Sequence, residues 1–330
     1  MTAAGARRRV LVTGGAGFIG SHLVERLVRR DDHVVVIDNL STGRRRNLDA
    51  VRDRVDVVEA SVTAGLDRYS PGDFDEIYHL AAAVGVRLVI EQPIRTIETN
   101  VHETSAILEF ASPCRTPTLL ASTSEVYGKT TKMPFHEDDD VVYGATTLHR
   151  WSYACSKAID EYLALAHHRE RDLPVAIVRF FNTVGPRQIG EYGMVLPRFV
   201  DAARAGQPLL VHGDGAQTRC FCDVRDVVDA LPRLLASPRG VGRVFNLGSD
   251  EPISILGLAE LVRGTLGSSS PIELVPYEEA FGAGFDDLRH RQPDIGRIRD
   301  AIGFEPRITL EQTIRDLAAH LASPTRERHP

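Results

Sequence analysis

Short apolar runs alternate with helical patterns along the first half of the chain. The runs lie in the segments RRVLV, HVVVIDN, VDVVEASV, EIYHLAA, PTLLASTSEVYG and LPVAIVRFFNTVG, separated by amphipathic patterns such as TIETNVHETSAILEFAS and YACSKAIDEYLALAHHRER. Continuous apolar strands are typical of parallel sheets, because helices cover both faces of such a sheet. The pattern therefore predicts an α/β fold built on a doubly wound parallel (Rossmann) sheet.

This regular alternation ends near residue 185. Beyond it, the strand-like pieces PLLVHG, RVFNLGS and IELVPY are interleaved with helices and with loops rich in proline and glycine. We expect residues 1–185 to form a dinucleotide-binding domain and residues 186–330 to form a smaller, mixed α/β substrate lobe. One helix, near 223–237, is expected to return to the first domain.

Composition narrows the class of protein. The 330 residues carry a net charge of −6, with 43% hydrophobic and 25% charged residues, as is ordinary for a globular enzyme. This charge favours neither nucleic acid nor an anionic membrane as a partner. No apolar run is long enough to cross a bilayer, and no secretory signal precedes Val10. We therefore predict a cytoplasmic location. Because the four cysteines lack zinc-site spacing, we also predict reduced thiols and no metal.

A glycine-rich turn follows the first strand. Gly14, Gly17 and Gly20 form a GxxGxxG pattern that opens a helix, and such a turn lets backbone N–H groups face a pyrophosphate. Asp38 ends the second strand, where its carboxylate can bind the adenosine ribose hydroxyls and repel a 2′-phosphate. The pattern predicts NAD. Arg44–Arg46 lie just downstream and could pair with a 2′-phosphate, so NADP binding is one alternative. A glycine turn with a purely structural role is the other alternative.

A tyrosine and a lysine share one face of a predicted helix. Tyr153 and Lys157 stand at positions i and i+4 in SYACSK. A nearby ammonium group lowers the pKa of a phenol, which makes the phenolate a usable base toward a sugar hydroxyl. A chance pairing of surface residues is the alternative, but Lys157 is one of only three lysines in the chain. Tyr143, the neighbouring candidate, has Thr147 at its i+4 position and therefore lacks such a partner.

The ordered series VTGGAGFIGSHL, DNLSTG, HLAA, TIETNV, STSEVYG, YACSK, RFFNTVGPR, VHGDGAQTRCF and RQPDI resembles the extended short-chain dehydrogenase/reductase family, within its nucleotide-sugar epimerases, decarboxylases and dehydratases. The resemblance spans nearly the whole chain. It implies tightly held NAD, a UDP- or dTDP-sugar and transient oxidation at sugar C4. The cofactor residues it implies are Gly14, Gly17, Phe18, Ile19, Gly20, Asp38, Asn39, Ser41, Thr42, Gly43, Leu80, Ala81, Ala82, Asn100, Tyr153 and Lys157.

The same resemblance implies roles for further residues. Thr123 is expected to help Tyr153 hold the sugar 4-hydroxyl, and Asn182, Arg219 and Arg291 to bind the substrate, with Asn182 and Arg219 on its diphosphate. Relatives commonly form a homodimer through two helices of each chain, here TIETNVHETSAILEFA and YACSKAIDEYLALAH. The chain departs from the family at EASV, where Ala60 and Ser61 replace a Gly-Asp pair that meets adenine.

Glu125 in STSEVYG distinguishes the possible reactions. A β-strand alternates its side chains, so we expect Thr123 and Glu125 in STSEVYG to face the same side, toward the sugar. The pair Ser124–Glu125 resembles that of uronate decarboxylases acting on UDP-glucuronic acid, and we predict decarboxylation to UDP-xylose with Thr123, Ser124, Glu125, Tyr153 and Lys157 as catalytic residues. A 4,6-dehydratase is disfavoured because a serine replaces the acid.

Two other residue patterns keep alternatives open. Arg87, in the loop after HLAA, would favour a uronate 4-epimerase if it clamps the substrate carboxylate away from the geometry for CO2 loss. A non-catalytic NAD-binding sensor predicts a broken tyrosine–lysine pair, whereas here the pair is intact. An NADPH ketoreductase is disfavoured by Asp38.

Overall fold

A central parallel sheet organises the molecule. The computed structural model describes residues 7–83, 92–147, 151–190, 194–276 and 288–322. Seven strands form the sheet: β1 (Arg9–Thr13), β2 (His33–Asp38), β3 (Val55–Glu59), β4 (Glu76–His79), β5 (Thr118–Thr123), β6 (Val175–Phe180) and, near the end of the chain, Arg243–Leu247. All neighbouring strands pair in parallel. The predicted doubly wound α/β fold is confirmed.

The strand order places a crevice beside the end of β1. The sheet runs from Arg243–Leu247 through β6, β5, β4 and β1 to β2 and β3, so the order in which strands are added reverses between β1 and β4. In doubly wound sheets a ligand binds where the order reverses, at the carboxyl ends of the strands. The glycine turn follows β1 and the HLAA segment follows β4, so both lie at this crevice.

Helices cover both faces of the sheet. The α-helices of the described residues are α1 (Phe18–Arg29), α2 (Val62–Leu66), α3 (Pro93–Ala111), α4 (Ser152–Arg171), α5 (Val195–Ala205), α6 (Val224–Ala236), α7 (Ile255–Leu266), α8 (Gly296–Ile302) and α9 (Leu310–Ala322), and six of them cover the sheet. Apolar residues of α1, α6 and α8 share one core with the sheet, and residues of α2, α3 and α4 share another on the opposite face. These two cores hold the strand ends, and therefore the crevice, in place.

The remaining elements form short sheets around a separate core. Their strands are β7 (Thr183–Val184), β8 (Leu209–His212), β9 (Thr218–Cys220), β10 (Cys222–Asp223), β12 (Pro252–Ser254), β13 (Ile272–Val275) and β14 (His290–Arg291), with Arg243–Leu247 numbered β11. Helices α5, α7 and α9 enclose an apolar cluster with β8. We propose this cluster as the core of the substrate lobe.

The assignment of RVFNLGS to the second lobe was wrong. Strand β11 pairs along its whole length with β6 and forms an edge of the main sheet. The sequence of the apolar run Val244–Leu247 would suit a strand of either lobe. Its place is decided by pairing with the open edge of β6. Helix α6 precedes it and packs against α1, where Arg26 binds Asp229.

Candidate active site

The glycine turn is a close-packed cradle between β1 and α1. Gly14 has φ +70°, and a Cβ there would lie 2.7 Å from the amide nitrogen of Ala81. A Cβ on Gly20 would lie 2.1 Å from the carbonyl oxygen of Gly14. Only glycine permits this approach of three backbone segments. The turn therefore leaves backbone N–H groups at the start of α1 available to a pyrophosphate.

Asp38 is oriented toward this turn by two backbone donors. Its Oδ2 accepts a hydrogen bond from Ala16 N at 2.9 Å and its Oδ1 accepts one from Leu40 N at 2.8 Å. Burial raises the pKa of Asp38, while the two N–H donors oppose that rise. A carboxylate fixed at the end of β2 is placed as an adenosine ribose requires.

The DNLSTG loop folds over the turn. The carbonyl of Ala16 accepts hydrogen bonds from Arg44 N at 3.0 Å and from the Asn47 side chain at 2.8 Å. A Cβ on Gly43 would lie 2.9 and 3.0 Å from the two carboxylate oxygens of Asp38. Gly43 is therefore a packing partner of the Asp38 carboxylate, which is predicted to bind the ribose.

Gly43→Ala is expected to weaken NAD binding. Asp38 cannot move away from the new methyl group without losing a backbone hydrogen bond, and overpacking costs about 1–3 kcal/mol, which corresponds to roughly 10- to 100-fold in affinity. The measurement is the dissociation constant of NAD by titration calorimetry. Gly264→Ala is the control, because its Cβ meets nothing within 4 Å in α7. Unchanged NAD affinity in Gly43→Ala would contradict the assignment.

Tyr153 and Lys157 lie together on the first turns of α4, and both are buried. The ammonium of Lys157 donates to Oδ2 of Asp160 at 2.8 Å, and these two side chains are 2% and 0% exposed. Burial raises the pKa of Asp160, and the charge of Lys157 opposes the rise. Sequence reasoning missed Asp160, although its i+3 spacing from Lys157 was a usable signal.

A buried polar network lies beneath this pair. His79, at the end of β4, contacts the hydroxyl of Thr13 through Nδ1 at 2.8 Å and that of Thr104 through Nε2 at 3.2 Å. Burial and, second, the charge of Lys157 lower the pKa of His79 to about 3. His79 is therefore neutral near pH 7 and ties β1, β4 and α3 together without acting as a base.

Asn100 holds the HLAA loop against α4. Its Oδ1 accepts from Ala83 N at 2.8 Å, and its Nδ2 donates to the hydroxyl of Ser156 at 3.1 Å. Asn100 is 2% exposed, so it supports the HLAA loop from the protein interior. A direct contact with NAD remains a prediction.

Tyr143, the competing tyrosine, is not suited to be the base. Its hydroxyl lies 3.4 Å from the carbonyl of Ala154, to which it donates. Burial raises the pKa of Tyr143 further above its ordinary value, with neighbouring acidic groups adding to the effect. Tyr153, which lies one helical turn from Lys157, therefore remains the candidate base.

The strand interpretation of Glu125 was wrong. Strand β5 ends at Thr123, and Ser124–Tyr127 form a 3₁₀ turn. The hydroxyl of Thr123 accepts a hydrogen bond from Glu125 N at 3.2 Å, and such local side-chain bonds compete with extension of a strand. The orientation of Glu125 is therefore set by the turn and by its partner rather than by alternation along a strand.

That partner is Arg291, which binds the Glu125 carboxylate through Nη1. The pair bridges the end of β5 and strand β14, 166 positions apart in the sequence. The side chains of Glu125 and Arg291 are only 17% and 9% exposed. The structure thus brings together two residues that the sequence placed in separate motifs.

Arg291 also lies beside Arg219. The two are paired positions of the parallel strands β14 and β9, and both are buried. Arg219 donates through Nη1 to the carbonyls of Thr218 at 2.7 Å and Arg289 at 3.3 Å. Like charges at paired positions destabilise a sheet unless anions compensate them. Glu125 supplies one negative charge, and this pair of arginines is suited to bind an anionic ligand.

Asn182 follows β6 and has an unsatisfied donor. Its Nδ2 is buried and makes no hydrogen bond with any residue that the structure describes. A buried amide donor without a partner is costly, and a ligand oxygen would satisfy it. This observation fits the predicted role on a diphosphate.

Of the other predicted site residues, one lies outside the residues that the structure describes, and the rest lie near the crevice. Arg87 lies outside the described residues. Those near the crevice are Phe18 and Ile19 at the start of α1, Asn39, Ser41 and Thr42 after β2, and Leu80, Ala81 and Ala82 after β4. Ser61, at the departure from the family pattern, caps α2 by accepting from Ala64 N. Cofactor contacts of all these residues remain predictions.

Fold and site together define a Rossmann-type enzyme with a dinucleotide site beside a tyrosine–lysine pair. A family model described as "NAD dependent epimerase/dehydratase family" matches residues 10–248. The chain belongs to the NAD dependent epimerase/dehydratase family. This finding confirms the family resemblance of the sequence motifs. Within the described residues, no helix is long and apolar enough to cross a membrane.

Three known proteins are particularly informative. A UDP-N-acetyl-alpha-D-glucosaminuronate decarboxylase of Bacillus cytotoxicus is 42% identical over 94% of this chain and 96% of its own length. UDP-glucuronic acid decarboxylase 4 of Arabidopsis thaliana is 38% identical over 92% of this chain and 66% of its own. The structure of a UDP-glucuronic acid 4-epimerase from Bacillus cereus, in complex with UDP-glucuronic acid and NAD, has a TM-score of 0.80, with 26% identity over 95% of this chain and 98% of its own.

NAD is the cofactor of this family, and the residues of this chain fit it. The cradle at Gly14 and Gly20 closes on backbone atoms, as close approach to a pyrophosphate requires. The carboxylate of Asp38 is held at the end of β2 by two backbone donors, and a carboxylate there would disfavour the 2′-phosphate of NADP. When bound, NAD supplies an acceptor and later a donor of hydride.

Proposed function

We propose that the protein is an NAD-dependent decarboxylase of a UDP-linked glucuronic acid, which it converts to UDP-xylose. The observation that carries the proposal is the part-buried Glu125–Arg291 pair beside Arg219. Two adjacent arginines suit a substrate bearing a diphosphate and a carboxylate, because guanidinium groups donate paired hydrogen bonds to such anions. The decarboxylases among the relatives support this choice.

The tyrosine–lysine pair performs the first step. The phenolate of Tyr153 accepts the proton of the sugar 4-hydroxyl as the C4 hydride leaves, and Thr123 holds the same hydroxyl. Lys157 favours the phenolate by its positive charge, and Asp160 fixes the position of its ammonium. Asn182 and Arg219 hold the diphosphate, which keeps C4 beside Tyr153.

Ser124, Glu125 and Arg291 act on the carboxylate end of the sugar. Oxidation at C4 makes the substrate a β-keto acid, which loses CO2 readily once its carboxylate leaves the plane of the ketone. Arg291 and the hydroxyl of Ser124 orient that carboxylate. Water supplies the proton that C5 takes after CO2 has left, and the carboxylate of Glu125, held at the same point by Arg291, relays that proton. Tyr153 then returns its proton to the C4 oxygen on reduction.

The experiment that tests this function uses purified protein with bound NAD and UDP-glucuronic acid. Loss of CO2 with a UDP-pentose product, read by mass and by NMR of the anomeric region, is the expected result. An unchanged mass with inverted C4 would overturn the proposal in favour of a uronate 4-epimerase, the activity named for the Bacillus cereus structure. Arg87 would then be the first residue to mutate.

A second candidate differs only in the substituent at sugar C2. The Bacillus cytotoxicus relative is named for an N-acetylated uronic acid, and it is more similar to this chain than the Arabidopsis enzyme is. Competition between UDP-glucuronic acid and UDP-N-acetylglucosaminuronic acid in one reaction decides between them. The ratio of kcat/KM values measured in this way reports the preference directly.

We also propose a homodimer formed through α3 and α4, and a cytoplasmic location. Ile94 and Ile97 on α3 and Ile159 and Tyr162 on α4 are exposed, with Ile94 at 72% and Tyr162 at 66%. Such a contiguous apolar face is typical of a protein interface. Two further residues of the predicted α4 stripe, Leu163 and Ala166, are only partly exposed.

Ile159→Glu is expected to dissociate this dimer. A charge at the centre of an apolar interface is left without a partner and costs several kcal/mol. The measurement is mass by light scattering or sedimentation. Leu274→Glu, at an apolar position of β13 that is 58% exposed, is the control. A wild-type protein that is monomeric at micromolar concentration would refute the proposal.

A further inference from the structure

One buried amide joins the two segments that carry Glu125 and Arg291. Asn246, in β11, is fully buried and all its side-chain hydrogen-bonding groups are used. Its Oδ1 accepts from the hydroxyl of Tyr127 at 2.6 Å, and its Nδ2 donates to the carbonyls of Phe135 at 2.9 Å and Asp294 at 3.1 Å. Its backbone N–H donates to Oε1 of Glu137 at 2.9 Å.

These partners adjoin the pair of charges. Tyr127 ends the 3₁₀ turn that begins at Ser124, two residues after Glu125. Asp294 follows Arg291 by three residues. The oxygen of the Asn246 amide therefore binds the segment that carries Glu125, through the hydroxyl of Tyr127. The nitrogen of the same amide binds the segment that carries Arg291, through the carbonyl of Asp294.

A rigid frame surrounds the amide. The rings of Tyr127 and Phe135 are stacked with centroids 4.6 Å apart. Phe135 also pairs through its backbone with the Arg291 segment, donating to the carbonyl of Gln292 at 2.8 Å and accepting from Asp294 N at 2.9 Å. The Arg179 guanidinium lies over the Tyr127 ring, 4.6 Å from its centroid. Neither segment can shift without breaking a contact of this frame.

We infer that Asn246 is a positioning residue that sets the distance between Glu125 and Arg291 for the step at the substrate carboxylate. The inference rests on the proposed function. The position requires one acceptor and two donors on a short, planar group, which asparagine provides and which aspartate, serine and leucine do not. Since Asn246 has no exposed surface, it acts through these segments and not by touching the sugar.

Tyr127→Phe tests this inference with a small change. The ring and its stacking remain, and only the hydroxyl bonded to Asn246 is lost. We expect the rate of C4 oxidation, followed as reduced cofactor in a single turnover, to change little while CO2 release falls about tenfold or more, since small displacements of reacting groups cost up to about 10²-fold. Asn246→Asp should show the same split more strongly.

Tyr78→Phe is the matched control. Tyr78 is equally buried and donates to Oε2 of Glu76 at 2.8 Å, in β4, within an ion-pair cluster with Arg30. The Tyr78→Phe variant should have a lowered Tm, as Tyr127→Phe should, but an unchanged ratio of CO2 release to C4 oxidation. An equal fall of both rates in Tyr127→Phe would overturn the inference and leave Asn246 a purely structural residue.

A binding measurement separates this inference from the proposed function. Wild-type protein that releases no CO2 from UDP-glucuronic acid contradicts the proposed function, whatever the variants do. Titration of UDP-glucuronic acid and UDP-xylose then tests Asn246 without turnover. Tyr127→Phe should weaken binding of the carboxylate-bearing sugar and leave that of UDP-xylose unchanged, and equal weakening of both would overturn the inference.

Discussion

Tyr153→Phe is expected to reduce turnover of UDP-glucuronic acid by roughly 10²–10⁴-fold, the usual contribution of a positioned general base, while NAD stays bound. The substitution removes only the hydroxyl that takes the sugar proton. Lys157 and its partner Asp160 remain in place on α4, so the cofactor site should keep its shape. The measurements are kcat by product NMR and the ratio of bound NAD to protein in the purified variant.

Tyr143→Phe is the control for this variant. Tyr143 lies near the same helix and also loses a hydroxyl, but that hydroxyl makes only a long bond to a carbonyl. Its activity should stay close to that of the wild type. Normal turnover in Tyr153→Phe would remove the phenolate mechanism, and loss of bound NAD would assign Tyr153 a cofactor-binding role instead.

Glu125→Gln is expected to slow CO2 release by about 10²-fold and C4 oxidation much less, because the amide cannot carry a proton to C5. Glutamine keeps the shape of glutamate and can still accept a hydrogen bond from Arg291. It removes the negative charge that binds that buried guanidinium, so we also expect a lower Tm. The two rates are measured in one single turnover, where their ratio is insensitive to the fraction of folded protein.

Glu305→Gln provides the comparison for loss of an ion-paired glutamate. Glu305 binds Arg299 at the surface, and exposed pairs contribute only about 0–1 kcal/mol. That variant should keep both rates. An unchanged rate of CO2 release in Glu125→Gln would return Glu125 to a structural role, as the partner that neutralises Arg291.

Local patterns were sufficient for the first half of the site. Gly14, Gly20 and Asp38 act within one β–α–β unit, where the turn, the helix start and the next strand end are close in sequence and therefore close in space. Tyr153 and Lys157 are likewise linked by one helical turn. Residues of this kind can be recognised without the rest of the fold.

The second half of the site depends on distant contacts. The period-two argument for Glu125 failed because the Thr123 hydroxyl bonds the chain into a 3₁₀ turn, a local competition that hydrophobic pattern does not reveal. Strand β11 was misplaced for a similar reason, since its apolar run suits either lobe. Asn246 was missed because a buried polar residue with distant partners shows its function only through those partners, whereas Asp160 could have been found from its i+3 spacing to Lys157.

The sequence by itself determined the parallel α/β architecture, the dinucleotide turn and the tyrosine–lysine pair, because periodicity and short-range spacing set which side chains share a turn or a face. Tertiary structure alone decided that Glu125 meets Arg291, that Arg219 lies beside Arg291, and that Asn246 joins their segments. These contacts span 48 to 166 positions of chain. They exist only because packing of the sheet against the second lobe brings those positions together.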